Sequence, residues 1–184
     1  MHIPVKPLKQ YPFWLRPFFY NQRRKYGAVL DPGLLWGRVP KLFAAVALLY
    51  GAIDRSASPL DQVLRSLVTV RVSQINWCHF CVDINSATLA TRAGSMDKVE
   101  QLEHWRESAL FDDKERLALE YAEAVTYSDQ QVSPELMARL KLFFDDDAVI
   151  DLTGLIAFQN LSSKFNAALD VPPQGFCTPG GQIK

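Results

Sequence analysis

The chain has 184 residues, 48% of them apolar and 22% charged, with 20 basic residues balanced by 20 acidic ones. That length suits one domain, with or without an arm, and allows a substantial hydrophobic core. Zero net charge excludes a bulk electrostatic pull toward nucleic acid, and three cysteines are too few for a disulfide framework in a chain of this size.

The opening stretch "MHIPVKPLKQYPFW" carries prolines where a secretory signal would place its apolar core, so no signal peptide is expected. Residues 1–38 are rich in aromatics and proline without a clear period, and are expected to form an arm that wraps the core or a partner subunit. Within it, "YPFWLRPFFY" is apolar enough to touch a membrane surface, but its expected fate is packing against protein. The cluster Arg23, Arg24, Lys25 is short and local and reads as a solvated loop, since a polyanion site needs a broader patch.

The run over residues 42–53 is the longest apolar one, well short of the roughly 20 residues that span a bilayer, so a soluble cytoplasmic protein with no membrane span is expected. From Pro40 onward the pattern is helical. Leu42, Phe43, Val46, Leu49, Tyr50 and Ile53 recur at steps of three and four. A second helix is predicted from Ser58 as N-cap and Pro59 at the first helical position. Its apolar residues, from Leu60 through Ile75, run nearly all round it, as in a central, buried helix. Asn76 is the expected cap of a third helix running to about Arg92, with Gly94 as its stop.

Residues 95–111, with charge and Trp105, read as a short exposed helix. Asp112 and Glu115 have capping-box spacing, and Ser133–Pro134 repeats the Ser-Pro start. A long apolar helix is predicted from about Asp147 to Leu169, ended by "DVPP". No alternating strand pattern survives, so the expected fold is all-α, a compact helical bundle over residues 39–176 followed by an irregular tail at 177–184.

The third helix begins with "NWCHFC", and Cys78 and Cys81, three apart, can meet on one helical face. Three readings compete. Two buried, inert cysteines are the plainest. Zinc needs about four ligands, and the nearby donor His79 lies on a different face, so no metal site is expected. A redox pair is the third: unpaired N–H groups at a helix N-terminus favour a thiolate, and His79 could add positive charge or a proton. Asp83, two residues past Cys81, is directed off the shared face and reads as a solvated residue or an interface salt bridge. His104 reads as a surface or packing histidine and Cys177 as an incidental tail thiol.

The segment "LVTVRVSQINWCHFCVDINSA" resembles the core of the carboxymuconolactone decarboxylase superfamily, in its alkylhydroperoxidase D-like, peroxidase-related branch, and the resemblance extends over roughly residues 34–176. It implies an all-helical homo-oligomer, a small hydroperoxide as substrate, and a dithiol reductant or lipoyl-type protein as partner. It also implies Cys81 as the attacking thiolate and Cys78 as the thiol that closes the disulfide, with no metal, flavin or haem. The branch's proton relay uses a glutamate twelve residues before the first cysteine and a histidine four after the second. Here those positions are Ser66 and Asn85, neither of which carries protons at neutral pH. Asn85, one turn past Cys81, could still donate a hydrogen bond to a thiolate.

Three functions therefore stand open: a thiol-dependent hydroperoxidase or disulfide reductase, a structural or redox-sensing oligomer without catalysis, and a lactone decarboxylase. The retained cysteine pair favours the first. Loss of both acid–base positions weighs against the last.

Overall fold

The computed structural model describes residues 1–54 and 57–177. Its helices are α1 (Arg16–Tyr26), α2 (Asp31–Gly37), α3 (Pro40–Ile53), α4 (Gln62–Ile75), α5 (His79–Ala93), α6 (Asp97–Gln101), α7 (Asp113–Thr126), α8 (Pro134–Leu140) and α9 (Asp146–Ala168). Among the described residues no strand element accompanies them. No helix among these residues is long and apolar enough to cross a membrane.

Helix α4 is the centre of the bundle, packed against α5, α7 and α9. Leu67, Val68, Val70 and Val72 are all fully buried, as an all-round apolar pattern requires. Two hydrogen bonds set its register with α5. Asn85 donates to Ser73 Oγ (3.2 Å), and Arg92 donates to Ser66 Oγ (2.9 Å). The numbers rise on one helix as they fall on the other, so the two run antiparallel, and Ser66 and Ser73 sit seven residues apart on the wall facing α5.

Helix starts follow local chemistry, with two shifts from expectation. The capping box of Asp112 with Glu115 opens α7, and Ser133 caps α8. α4 begins later than its Ser-Pro signal suggests. Asp61 Oδ1 accepts from Val63 N (2.8 Å) and Leu64 N (3.1 Å), while Ser58 Oγ is spent on Asp151 of α9 (2.5 Å). An ionised carboxylate is the stronger cap for a helix N-terminus. Likewise Asn76 closes α4 rather than opening α5, whose N-cap is Cys78.

Two segments depart further from their sequence reading. Residues 95–111 do open with a short helix, α6, that buries no residue, but the stretch after it turns inward. Leu102, Trp105 and Phe111 are buried against Leu67, Val70, Leu89 and Leu119. The aperiodic residues 1–38 contain α1 and α2, and Tyr11, Leu15, Phe19, Leu34 and Trp36 join Phe43 of α3 in a core of their own. Tyr11 donates to Leu34 O (3.0 Å), and Trp36 stacks on Phe165 of α9 at 3.5 Å between centroids. Phe13 and Tyr20 remain exposed. Of the expected irregular tail, only Cys177 is among the described residues.

Candidate active site

The turn between α4 and α5 delivers the cysteines. Cys78 N–H bonds back to Ser73 O (3.1 Å) and Trp77 N–H to Gln74 O (3.0 Å), the paired bonds of a Schellman helix end. That motif needs a left-handed residue at its penultimate position, where glycine is usual. Here Trp77 takes it, with φ of 55° and a side chain 80% exposed. A bulky residue in this region costs about 1 kcal/mol. Trp77→Gly is therefore expected to raise the melting temperature by roughly 2–4 °C. A lower melting temperature in a thermal scan would show that the indole contributes packing.

The payoff is position. The chain re-enters helix at once, and Cys78 Sγ accepts the N–H of Cys81 (3.2 Å) as the cap of α5. Cys78 and Cys81 are joined as a disulfide with Cα atoms 5.2 Å apart, inside the ordinary range for such bonds. Both are buried, yet only Cys81 opens onto a cavity of about 370 Å³. This cavity draws its walls from α1, α2, α3, α4, α5 and α9. The aromatic N-terminal segment thus forms one side of it.

On α5 the cavity face runs Cys81, Asn85, Thr88, Arg92, at steps of four, three and four. Ser66 and Thr69 of α4 lie opposite, and Gln159 and Asn166 come from α9. Asn85 lies on this wall, but its amide is engaged by Ser73, which Gln159 also reaches (2.9 Å). The amide that contacts the thiol site is Asn166, whose Nδ2 donates to Cys81 Sγ (3.2 Å). Asn166 is 1% exposed, and its Oδ1 has no hydrogen-bond partner. Such an orphaned acceptor is costly to bury and calls for a donor.

Ser66 stands where the relay glutamate would be. Its hydroxyl donates to Gln62 O (3.1 Å) and accepts from Arg92, so a cation now occupies that end of the wall. Tyr50, from α3, is half exposed, but its hydroxyl end lies among the cavity's side chains and donates to Asp54 (3.1 Å). That burial, with the Asp54 charge, pushes its pKa above the usual tyrosine range.

His79 is exposed and does not line the cavity, and His104 is exposed on its own segment. Asp83, read as solvated or in an interface pair, is instead 8% exposed, and it ties down the segment that follows α9. Its carboxylate accepts from the backbone N–H groups of Gln174 (2.9 Å), Gly175 (2.8 Å) and Cys177 (2.7 Å). Cys177 packs beside the cysteine cluster, and burial followed by the Asp83 charge raises its thiol pKa, which suits a structural thiol. Among the described residues no three His, Cys, Asp or Glu side chains converge as a metal site requires.

Residues 40–124, spanning α3 to α7 and the cysteine pair, match the model of the carboxymuconolactone decarboxylase family. The chain is also 49% identical over 173 residues to the uncharacterised Escherichia coli protein YnjA, covering 94% of this chain and 95% of that one. The chain belongs to the carboxymuconolactone decarboxylase superfamily. Its fold is the alkylhydroperoxidase D-like one. A peroxidase-related protein from Ralstonia eutropha with an alkylhydroperoxidase D core superposes with a TM-score of 0.85 at 22% identity, over 94% of this chain and 92% of that one. The debrominase Bmp8 superposes at 0.80, also at 22% identity, over 92% and 90%. A superfamily cysteine pair in this disulfide, at the mouth of a helix and the floor of a cavity, fits a redox role.

Proposed function

We propose that this chain is a thiol-dependent hydroperoxidase that cycles through the Cys78–Cys81 disulfide. The observation that carries the reading is the asymmetry of the pair. Cys81 faces the cavity beneath Asn166, and Cys78 lies behind it at the helix cap. In the reduced state, the Asn166 amide and the α5 N-terminus favour the Cys81 thiolate.

The Cys81 thiolate attacks the terminal oxygen of ROOH. The O–O bond breaks, its electron pair leaves with RO⁻, and Cys81 becomes a sulfenic acid. RO⁻ takes a proton from solvent to give ROH. The Cys78 thiol then displaces water from the sulfenic acid, closing the disulfide. An external dithiol reopens it by two exchange steps and leaves as its own disulfide. It must enter by the cavity, so Cys81 is the sulfur it meets first.

Two features tune this cycle. The unpartnered Asn166 Oδ1 can accept the hydroperoxide O–H and hold the terminal oxygen at the thiolate. Against that, the usual acid–base pair is absent, since Ser66 is held by Arg92 and Asn85 by Ser73. General acid–base help is worth about 10² to 10⁴ in rate, so turnover is expected to be slow. The aromatic cavity accords with an organic rather than an inorganic peroxide. Bmp8, which shares the fold, has been solved with 2,3,4-tribromopyrrole bound.

The test is mass spectrometry of fully reduced protein after one equivalent of cumene hydroperoxide. The expected result is a loss of about two mass units with the disulfide mapped to Cys78–Cys81, matched by one equivalent of alcohol. Thiols that stay reduced would remove the reading.

The reading includes a homo-oligomer working in a reducing cytoplasm. α3 buries only Phe43 within its own chain, and Leu42, Leu48 and Leu49 are exposed along it, with Ile150 and Leu161 exposed on α9. Light scattering is expected to give a multiple of 20.8 kDa. Leu48→Glu, at a position 78% exposed in the single chain, should shift the species toward monomer without unfolding it. A wild-type monomer would sink this part.

A further inference from the structure

The cavity has two polar ends separated by an apolar middle. At the thiol end stand Cys81, Asn166 and the Ser73–Asn85–Gln159 cluster. At the other end Arg92 meets Ser66. Seven residues of α4 separate Ser73 from Ser66, a rise of about 10 Å. Ile84, Phe43 and Phe158 add apolar wall, and the Thr69 and Thr88 hydroxyls donate to Ser66 O and Ile84 O.

The far end is cationic. Arg92 Nη1 donates to Ser66 Oγ and, more loosely, to Gln62 O (3.3 Å), and among the described residues it pairs with no carboxylate. Arg65 lies nearby, bonded to Ile53 O and 3.8 Å from the Asp54 carboxylate, which also accepts from Tyr50. Arg92 thus brings to this end a positive charge that no carboxylate among the described residues pairs with. The glutamate that the superfamily's relay would place here would reverse that sign, and its replacement by Ser66 leaves Arg92 a neutral partner. A half-buried guanidinium with remaining N–H donors at the cavity wall is a carboxylate receptor.

From this juxtaposition we infer that the substrate is an organic hydroperoxide bearing a carboxylate at the opposite end of an aromatic or alkyl body from its peroxide. The carboxylate pairs with Arg92 beside Ser66. The apolar body lies against Phe43 and Phe158. The O–O–H end reaches Cys81, its proton donated to Asn166 Oδ1. This rests on the peroxidase reading for its reactive group but not for its binding mode, which the experiment separates.

Calorimetry on Cys81→Ser protein, which cannot turn over, would use biphenyl-4-carboxylate and its methyl ester as probes. The acid is expected to bind about ten- to a hundredfold more tightly than the ester, the range for a charge-assisted hydrogen bond. Adding Arg92→Gln should erase that preference while leaving ester affinity in place, and Arg92→Lys should restore part of it. Equal affinity for acid and ester, or no binding of either, overturns the inference. In wild-type protein, 4-carboxycumene hydroperoxide should show a lower KM than cumene hydroperoxide, a difference lost in Arg92→Gln. Acid preference in a protein that consumes no hydroperoxide would keep the carboxylate site and remove the peroxidase reading.

Discussion

Cys81→Ser is expected to abolish hydroperoxide consumption outright, while Cys78→Ser completes one turnover and stops. The difference follows from which sulfur the cavity reaches. Without the Cys81 thiolate nothing attacks the O–O bond, because Cys78 is shut behind the α5 cap with its sulfur turned to the Cys81 N–H. Without Cys78 the first step survives, and the product is a Cys81 sulfenic acid that no neighbouring thiol condenses with. Cys177 does not substitute, since its backbone is pinned to Asp83 and burial, with the Asp83 charge, raises its thiol pKa. Trapping with dimedone, followed by peptide mapping, should find the adduct in Cys78→Ser and none in Cys81→Ser. Asn166→Ala should keep both steps but slow the first by tenfold or more, because it removes the donor to the thiolate and the acceptor for the peroxide proton together. Wild-type rates in Cys81→Ser, or labelling at Cys78 instead, would overturn the assignment.

The parts of this site that were readable in the sequence are those whose chemistry is local. A C-x-x-C at a predicted helix start, the capping box at Asp112 and the Ser133 cap each involve partners within four residues, and each forms as the spacing suggests. The missed parts depend on partners far along the chain. Asn166 lies 85 residues from Cys81, and only the packing of α9 beside α5 brings them together. Asp83 does point away from the cysteine face, as its spacing requires. What covers that other face is backbone more than ninety residues on, and no periodicity announces it. The Ser58 signal was real but outcompeted: Asp61 offered α4 a charged cap, and Ser58 found a partner in Asp151. The helices α1 and α2 escaped because prolines and aromatics blur a 3.6-residue period, and their burial comes from tertiary contact with α3 and α9.

Glu123→Ala is expected to be strongly destabilising, and its effect should depend on pH. Glu123, 4% exposed on α7, gathers three donors: Arg71 Nε (2.6 Å) and Trp105 Nε1 (3.0 Å) on one oxygen, and Arg106 (2.5 Å) on the other. Arg106 is half exposed and can rehydrate when the carboxylate goes. Arg71, with a side chain 13% exposed on the central helix α4, cannot do so readily, and the indole N–H of the buried Trp105 loses its acceptor. Breaking a buried pair from one side costs about 3–5 kcal/mol. For a chain of this length that lowers the melting temperature by roughly 10 °C. Glu123→Gln keeps an acceptor for Trp105 and should fall between the two.

The pH dependence has a definite sign. Burial alone would raise the Glu123 pKa. The bonds from Arg106 and Trp105 and the Arg71 charge outweigh it and hold it below the ordinary 4.5. The folded state therefore binds the proton less readily than the unfolded one. The stabilisation is fully present above the unfolded value, and it is lost as pH falls through the depressed folded value. Urea titrations at pH 7 and pH 3 should show the gap between wild type and Glu123→Gln narrowing at the lower pH. A gap that stays constant would mean that Glu123 stabilises α7 by shape alone. Because Arg71 lies on the same helix as Ser66 and Ser73, the Ala variant should also loosen the cavity wall. Hydrogen exchange over α4 is expected to rise with it.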